Sequence, residues 1–563
     1  MMITAAPTVN DECLTVRGRA VLTHVPGNIV VSPVGTESAF LGATSSISSS
    51  RHVFVLGILQ GYKLLSLFRV KIWWMIPRIG RSASDVPMET QFLLLEAREE
   101  SALEDELSSD SEEPTTENSC YILFLPVLDG QFRATLQGTQ SNELQFCIES
   151  GDAHVQTSQS LEAVFVNSGD NPFELIRDSI KMLEKHKGTF CRLENKRIPA
   201  HLDWFGWCTW DAFYTEVSPN GIREGLQSFS NGGCSPKFII IDDGWQETLN
   251  TFHKEGEPVI EGTQFATRLI DIKENKKFTD AGSYNSCDNL HNFVDSIKQN
   301  MNSKHETAEF HAAARAVGGC AVYVSDKPGN HDFKILEKLV LADGSVLRAR
   351  YAGRPTRDCL FEDPVMDGKS LLKIWNLNVL TGVVGVFNCQ GAGCWPLKSL
   401  EAAPLRITIS GKVRPLDVEF LEEVAGENWN GDCIVYAFNA GLLSKISCRG
   451  KLEVSLETLH CEIYTVSPIR VFGHDVLFAP IGLLDMYNSG GAVEALDCTM
   501  DVAQCIIKIK GRGCGRFGAY SNVRPKLCVV DMKEEEFFYN REDGLLTITL
   551  AGEGNSKDIE FVY

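Results

Sequence analysis

The run Lys237-Phe-Ile-Ile-Ile-Asp242-Asp243-Gly-Trp-Gln246 constrains this chain more than any other segment. A continuous Ile-rich run of this length reads as a strand buried on both faces, as in a parallel sheet. Such a sheet needs helices on its faces, so the surrounding residues must supply βα units. Two adjacent carboxylates at the C-terminal end of the strand lie where α/β barrels keep their chemistry. Some thirty residues earlier stands Asp203-Trp-Phe-Gly-Trp-Cys-Thr-Trp-Asp211, a second rare cluster. Paired acids beside indole rings suit a polyol: carboxylates accept hydroxyl hydrogen bonds and rings cover an apolar face.

The rest of the chain divides by texture. Residues 1–195 show short apolar runs at 29–34, 69–75, 91–95, 120–124 and 143–148, which predicts a β-sandwich-like domain. Within it, 96–118 is acidic and Ser/Thr-rich and cannot bury enough apolar surface to order itself, so it reads as a mobile loop. Residues 172–186 have the pattern of an amphipathic helix. Residues 200–396 alternate between strands, at 204–209, 238–242, 320–325 and 383–388, and helices, at 219–228, 289–299, 306–317 and 332–340. That alternation predicts parallel βα units with all four strands mutually parallel. From 400 to 563 short strands return, as at 432–438, 444–447, 462–466 and 545–550, giving a C-terminal β domain.

Bulk properties exclude several classes. The net charge of −21 over 563 residues argues against a nucleic-acid or anionic-membrane surface. The 18 cysteines are scattered, with no CxxC pair and no metal-ligand rhythm. With a start that lacks a basic region and a long apolar core, this points to a reducing, cytoplasmic setting. The most apolar stretch, 52–79, is broken by Gly57, Gly61, Lys63, Arg69, Lys71 and Pro77 and reads as two strands rather than a membrane span.

A second strand-end acid follows in Cys320-Ala-Val-Tyr-Val-Ser-Asp326-Lys-Pro-Gly-Asn-His331. Asp326 is a candidate acid/base, although strand-end aspartates also serve as helix caps and turn residues. The cluster Arg354-Pro-Thr-Arg357-Asp358 fits either an ion-pair network or substrate binding.

The segments from Trp204 to Tyr214, Phe238 to Gln246, Thr307 to Cys320, Tyr323 to Phe333 and Gly353 to Cys359 together resemble the plant raffinose synthase family, which includes seed imbibition proteins and alkaline α-galactosidases of glycoside hydrolase family 36. The segments Phe68 to Leu95 and Lys373-Ile-Trp-Asn376 fit as well. The resemblance implies an N-terminal β-sandwich, a (β/α)₈ barrel and a C-terminal β domain. It implies transfer of a galactosyl unit from galactinol to sucrose, or release of galactose from raffinose-type sugars, by a retaining, metal-free mechanism without a cofactor. Asp326 takes the acid/base position. Asp242 and Asp243 take the positions that bind galactose hydroxyls, Trp207 and Trp210 form the aromatic wall, and Asp211 is carried as a substrate-binding candidate. Arg354 and Asp358 are carried as substrate-binding candidates.

The family's nucleophile finds no counterpart. It lies in a Lys-Val-Asp-Val-Gln strand after a Trp-His-Ala-Leu segment, and neither string occurs. A complete barrel takes about 250 residues, more than the middle region offers. A block holding barrel strands three to six is therefore expected to be missing, with a junction near Met301. Asp271 (on an expected loop), Asp295 (on an expected helix) and Asp531 (in the C-terminal domain) are poor substitutes. The expected fold is a multidomain α/β plus β protein with an incomplete (β/α)₈ barrel. Three functions compete: a galactosyltransferase or α-galactosidase with impaired catalysis, a non-catalytic relative that binds sugars or partners, and a β-sandwich lectin with a residual α/β insert.

Overall fold

The computed structural model describes residues 6–69, 75–97, 119–248, 269–279, 307–391, 406–427, 429–500, 504–552 and 556–563. The helix expected at 289–299, residues 98–118 of the acidic stretch, Asp295 and the junction near Met301 lie outside the described residues. The chain forms two compact units. The first holds Met1–Arg197 with Leu360–Asp363 and Cys394–Lys398, and the second holds Ile198–Cys359, Pro364–Gly393 and Ser399–Tyr563.

The first unit is a 13-stranded antiparallel sheet that curls over one apolar core. Its order begins Thr8–Asn10, Cys13–Val16, Arg19–Thr23, Arg51–Leu59, Glu143–Glu149, Arg133–Gly138, Thr90–Ala97 and Cys120–Pro126. It continues through Thr157–Gly169 and Ala39–Ser49 to Ile29–Pro33. The Lys63–Phe68 strand shows why these residues choose β structure: its residues alternate between half-buried and buried, so Leu64, Ser66 and Phe68 face the core. The apolar stretch 52–79 holds three strand segments rather than two, because Ile76–Gly80 pairs back on Lys63–Phe68; Arg69 and Met75 are not in strands, and 70–74 lie outside the described residues. The helix Pro172–Lys187 starts where Asn171 accepts the backbone N–H groups of Phe173 and Glu174. It ends at Gly188, whose φ of 64° is the left-handed cap that glycine tolerates. Leu183 packs with Phe40 and Phe165.

The second unit contains the expected parallel element in reduced form. Strands β1 (Phe205–Cys208), β2 (Phe238–Ile240) and β3 (Val322–Val324) make a three-stranded sheet in the order β2-β1-β3. Both pairings are parallel, with Trp207 opposite Ile239 and Val324. Helix α1 (Pro219–Asn231) begins with Ser218 accepting the Gly221 N–H, and helix α2 (Ala308–Gly318) ends at the left-handed Gly319. Together they cover one face of this sheet, where Phe205, Trp207 and Val322 join Ile222, Phe229, Ala313 and Val317 in a single core. The Trp207 indole rests on Gly225 of α1, where a Cβ would come within 2.4 Å of its ring. Gly225→Val is expected to cost about 1–3 kcal/mol through overpacking, read as a lowered unfolding midpoint with an unchanged denaturant slope.

The other face of the sheet is different. Alternation puts Gly206, Cys208, Phe238, Ile240 and Tyr323 on that side, and Ile240 and Tyr323 are 40% and 36% exposed. Parallel sheets are normally covered on both faces. Among the described residues, β2 and β3 each have one strand neighbour only.

One expectation fails outright. The strand at 383–388 is not parallel to the others. Gly382–Phe387 lies in a six-stranded antiparallel sheet between Leu372–Leu377 and Cys461–Pro468. All six of its residues are buried, and a strand buried on both faces looks the same in sequence whichever way its neighbours run. The remaining strands of this sheet are Arg354–Pro355, Asp432–Ala437 and Leu442–Ser447. The helix expected at 332–340 is one turn, Phe333–Leu336, capped by Asp332. Asp271 lies in the strand Leu269–Glu274, which pairs with Gln246–Thr248, and not in a loop. Two five-stranded antiparallel sheets follow, one centred on Gly515–Ser521 and the other on Ser556–Val562. They share a core that includes Phe478, Phe517, Ile507 and Phe561. The protein is thus multidomain and mostly β, with an N-terminal antiparallel sheet structure and C-terminal β sheets.

Candidate sugar site

The carboxylates sit at the C-terminal ends of the parallel strands. Asp242 follows β2 and is held from β1: its N–H donates to Thr209 Oγ1 at 2.9 Å, and the Cys208 thiol donates to its Oδ2 at 3.4 Å. Burial, reinforced by the Asp242 carboxylate, pushes the Cys208 thiol up to about 11. It therefore stays a neutral donor at pH 7. Asp243 donates its N–H to Asp242 Oδ1 at 2.8 Å and accepts from Gln246 Nε2 at 3.1 Å. The turn that presents the pair needs Gly244, whose φ is 110° and whose absent Cβ would fall 2.5 Å from the Thr215 carbonyl.

Asp326 follows β3 by two residues, and its neighbour Ser325 accepts the Asp211 N–H at 2.8 Å. The strand ends of β1, β2 and β3 are thus tied by side-chain to backbone hydrogen bonds. Neighbouring strands lie about 4.8 Å apart, so the backbones carrying Asp242 and Asp326 stand about 10 Å apart across β1. Trp210 is half-buried beside them, with Tyr214 edge-on at 5.6 Å between ring centroids.

Three of the residues expected from sequence stand elsewhere. Trp207 is 0% exposed and faces the helices, packed on Phe213 and Phe229, so it offers no face to a ligand. The period of two along β1 sends Trp207 inward and Cys208 to the open side. Arg354 is placed by Gly353, whose N–H donates to the Gly318 carbonyl at the end of α2. That is the N-terminal end of β3, opposite Asp326. The Arg354 guanidinium there lies over the rings of Tyr351 and Trp375, at 5.7 and 5.5 Å. Asp358 belongs to an ion cluster in which Lys373 Nζ lies 2.7 Å from Asp358 Oδ2 and 2.8 Å from Asp417 Oδ2. Asp203, at the other end of β1 from Asp211, is paired to Arg348 at 2.6 Å. Asp531 pairs with Lys557 at 3.1 Å in a C-terminal sheet.

Sequence reasoning passed over Cys208, Thr209 and Ser325. The signal was present, since each adjoins a chosen residue and carries a short donor or acceptor, but a single Cys, Thr or Ser at a strand end is too common to single out. Because its thiol is buried and kept protonated, Cys208 is expected to resist maleimide at pH 8 in the native protein, while exposed Cys191 and Cys320 react. Mass mapping of labelled peptides before and after denaturation checks this. The sign of the pH effect follows from the raised native value. The unfolded thiol ionises first, so this group's contribution to stability falls as pH rises from about 9 towards 11.

Among the described residues no group of three or more His, Cys, Asp or Glu could hold a metal ion, and no helix is long and apolar enough to cross a membrane.

The chain is mostly β and multidomain, with carboxylates and aromatic side chains at the ends of parallel strands. Comparison with known sequences gives the family. The family described as raffinose synthase or seed imbibition protein Sip1 matches residues 8–303 and again 282–550, and the chain belongs to it. The chain is 35% identical over 755 aligned positions to a protein of Arabidopsis thaliana named probable galactinol–sucrose galactosyltransferase 1, with 98% of each chain covered. It is 28% identical over 783 positions to a galactinol–sucrose galactosyltransferase of Pisum sativum, covering 97% of this chain and 95% of that protein. An alignment of 755 positions against a chain of 563 leaves a difference of 192, so at least that many positions of the Arabidopsis protein have no counterpart here. The two family matches meet between 282 and 303, the stretch that contains Met301. Among solved structures, the GH36 α-galactosidase AgaA of Geobacillus stearothermophilus with raffinose aligns over 79% of this chain and 80% of that one. Its TM-score is 0.30 at 10% identity, too low to bear on this fold.

Proposed function

We propose that this chain handles α-galactosides as a raffinose-synthase-type protein, and that it binds the sugar without transferring it efficiently. Asp242 and Asp243 accept hydroxyls of a galactosyl unit, Trp210 covers its apolar face, and Asp326 stands where a leaving-group oxygen would be protonated. Asp211 borders the same strand end. The relatives' names point to galactinol and sucrose as the sugars. The observation that carries the reading is the sheet itself: three parallel strands with acids at their C-terminal ends, and Ile240 and Tyr323 partly exposed on the face away from the helices. The missing positions fall between β2 and β3, where a (β/α)₈ barrel would place further strands and the nucleophile. The same observation favours the non-catalytic relative over an active transferase or an α-galactosidase.

Galactinol titrated into the full chain and followed by calorimetry tests the binding claim. The Asp242→Asn, Asp243→Asn double variant is expected to weaken binding about 100- to 10,000-fold, the loss of two charged hydrogen bonds. Undiminished affinity in that variant would remove the paired acids from the site.

A further inference from the structure

A second cleft in the same unit is unconnected with the strand-end acids in sequence or sheet. It encloses about 760 Å³ between the one-turn helix Phe333–Leu336 and the C-terminal sheets. Tyr436 and Phe438, at the end of Asp432–Ala437, form its floor, and Phe438 packs on Tyr487 with centroids 4.9 Å apart. Phe538 stands on the rim, 66% exposed on the strand Phe537–Tyr539. Five charged side chains line it, Lys334, Glu337, Lys338, Asp485 and Arg516, and three of them are held in ion pairs. Arg516 grips Asp485 through two parallel hydrogen bonds, and Lys338 is tied to Glu309 at 2.6 Å while lying 5.7 Å above the Phe438 ring.

We infer that this cleft is a separate binding site for a neutral oligosaccharide. Its volume lies within the usual 300–1,000 Å³ of small-molecule sites. An exposed Phe beside a buried aromatic floor offers a ring face for the C–H side of a pyranose. The Arg516–Asp485 pair keeps outward donors and acceptors for vicinal hydroxyls without giving up its own bonds. Lys334 and Glu337, outside the two ion pairs, are of opposite sign, so the lining counted with Glu309 has no excess of either charge to select an ion, and a polyhydroxyl ligand leaves both pairs intact.

The test uses the full chain carrying Asp242→Asn and Asp243→Asn, which weakens the strand-end site so that the cleft is read against a reduced background. Raffinose is titrated and followed by ligand-observed NMR and calorimetry. Saturable binding is expected in that background, and Phe538→Ala is expected to weaken it at least about tenfold. Arg516→Ala is expected to do the same. Neither exposed change threatens folding, which a thermal melt checks. Raising NaCl from about 0.05 to 0.5 M is expected to leave the affinity unchanged, because the ligand is uncharged. No saturable binding, binding indifferent to both substitutions, or binding of glucose 6-phosphate in preference to raffinose would each overturn the inference. A failure of galactinol binding at Asp242 and Asp243 leaves these outcomes unaltered, so the two claims can fail separately.

Discussion

Incubated with galactinol and sucrose, the 563-residue chain is expected to form raffinose at least about 10⁴-fold more slowly than a full-length relative. Retaining transfer requires a carboxylate about 5–5.5 Å from the acid/base residue to capture the sugar covalently. Among the described residues, Asp203 is engaged by Arg348, Asp358 by Lys373 and Asp531 by Lys557, so none of these three is free to take that role. Asp326 alone could protonate a departing oxygen but leaves the galactosyl cation without a partner. Members of a catalytic set act as a unit, so loss of one removes most of the set's effect. Asp326→Asn is accordingly expected to change the residual rate little. Chromatography of the products settles it, and turnover matching a full-length relative, abolished by Asp326→Asn, is the result that would sink the reading.

The second large effect concerns Lys373. Its side chain is 7% exposed and lies between Asp417, 11% exposed, and the more open Asp358. Burial works against its charge, but the two carboxylates outweigh it and hold the ammonium above its ordinary range. Burial pushes Asp417 the opposite way, upward, in spite of Lys373. The cluster is therefore held by its lysine and strained by the buried aspartate. Lys373→Met leaves that carboxylate without its counter-charge and is expected to cost about 3–5 kcal/mol, read by denaturant unfolding. The Lys373→Met, Asp417→Leu double variant should recover most of the loss, because an apolar replacement removes the stranded charge. The sign in pH follows from the raised lysine. Its contribution is complete below about 10.5 and is lost only as pH climbs beyond that value.

The sequence showed some of this more readily than the rest. The run ending in Asp242-Asp243 announced a strand with acids at its end, and β2 is that strand, but it stops at Ile240 and none of its three residues is buried, against the expected burial on both faces. The run at 382–387 was equally apolar and misled, since burial on both faces does not encode strand direction. Trp207 and Trp210 looked alike in sequence, yet one is core and one is half-buried beside the acids. The parity that separates them counts from where β1 begins, and strand boundaries are the least legible feature of a sequence. Arg354 and Asp358 lie near α2 and Lys373 through contacts that no spacing reveals.

The pairing of β3 with β1 has a kinetic consequence. Phe205 meets Val322, so the contact that completes the sheet joins segments far apart in sequence, with β2 alone already in place beside β1. In a full barrel each successive strand docks on the one before it, and the ring closes in short steps. Among the described residues β3 pairs with β1 alone, so the entropy of closing that long loop is lost before the contact repays it. While that search lasts, β1 presents an unsatisfied row of N–H and C=O groups to whatever strand arrives first, and a second molecule is a competitor. Refolding yield should therefore fall as protein concentration rises, even where the finished fold is stable.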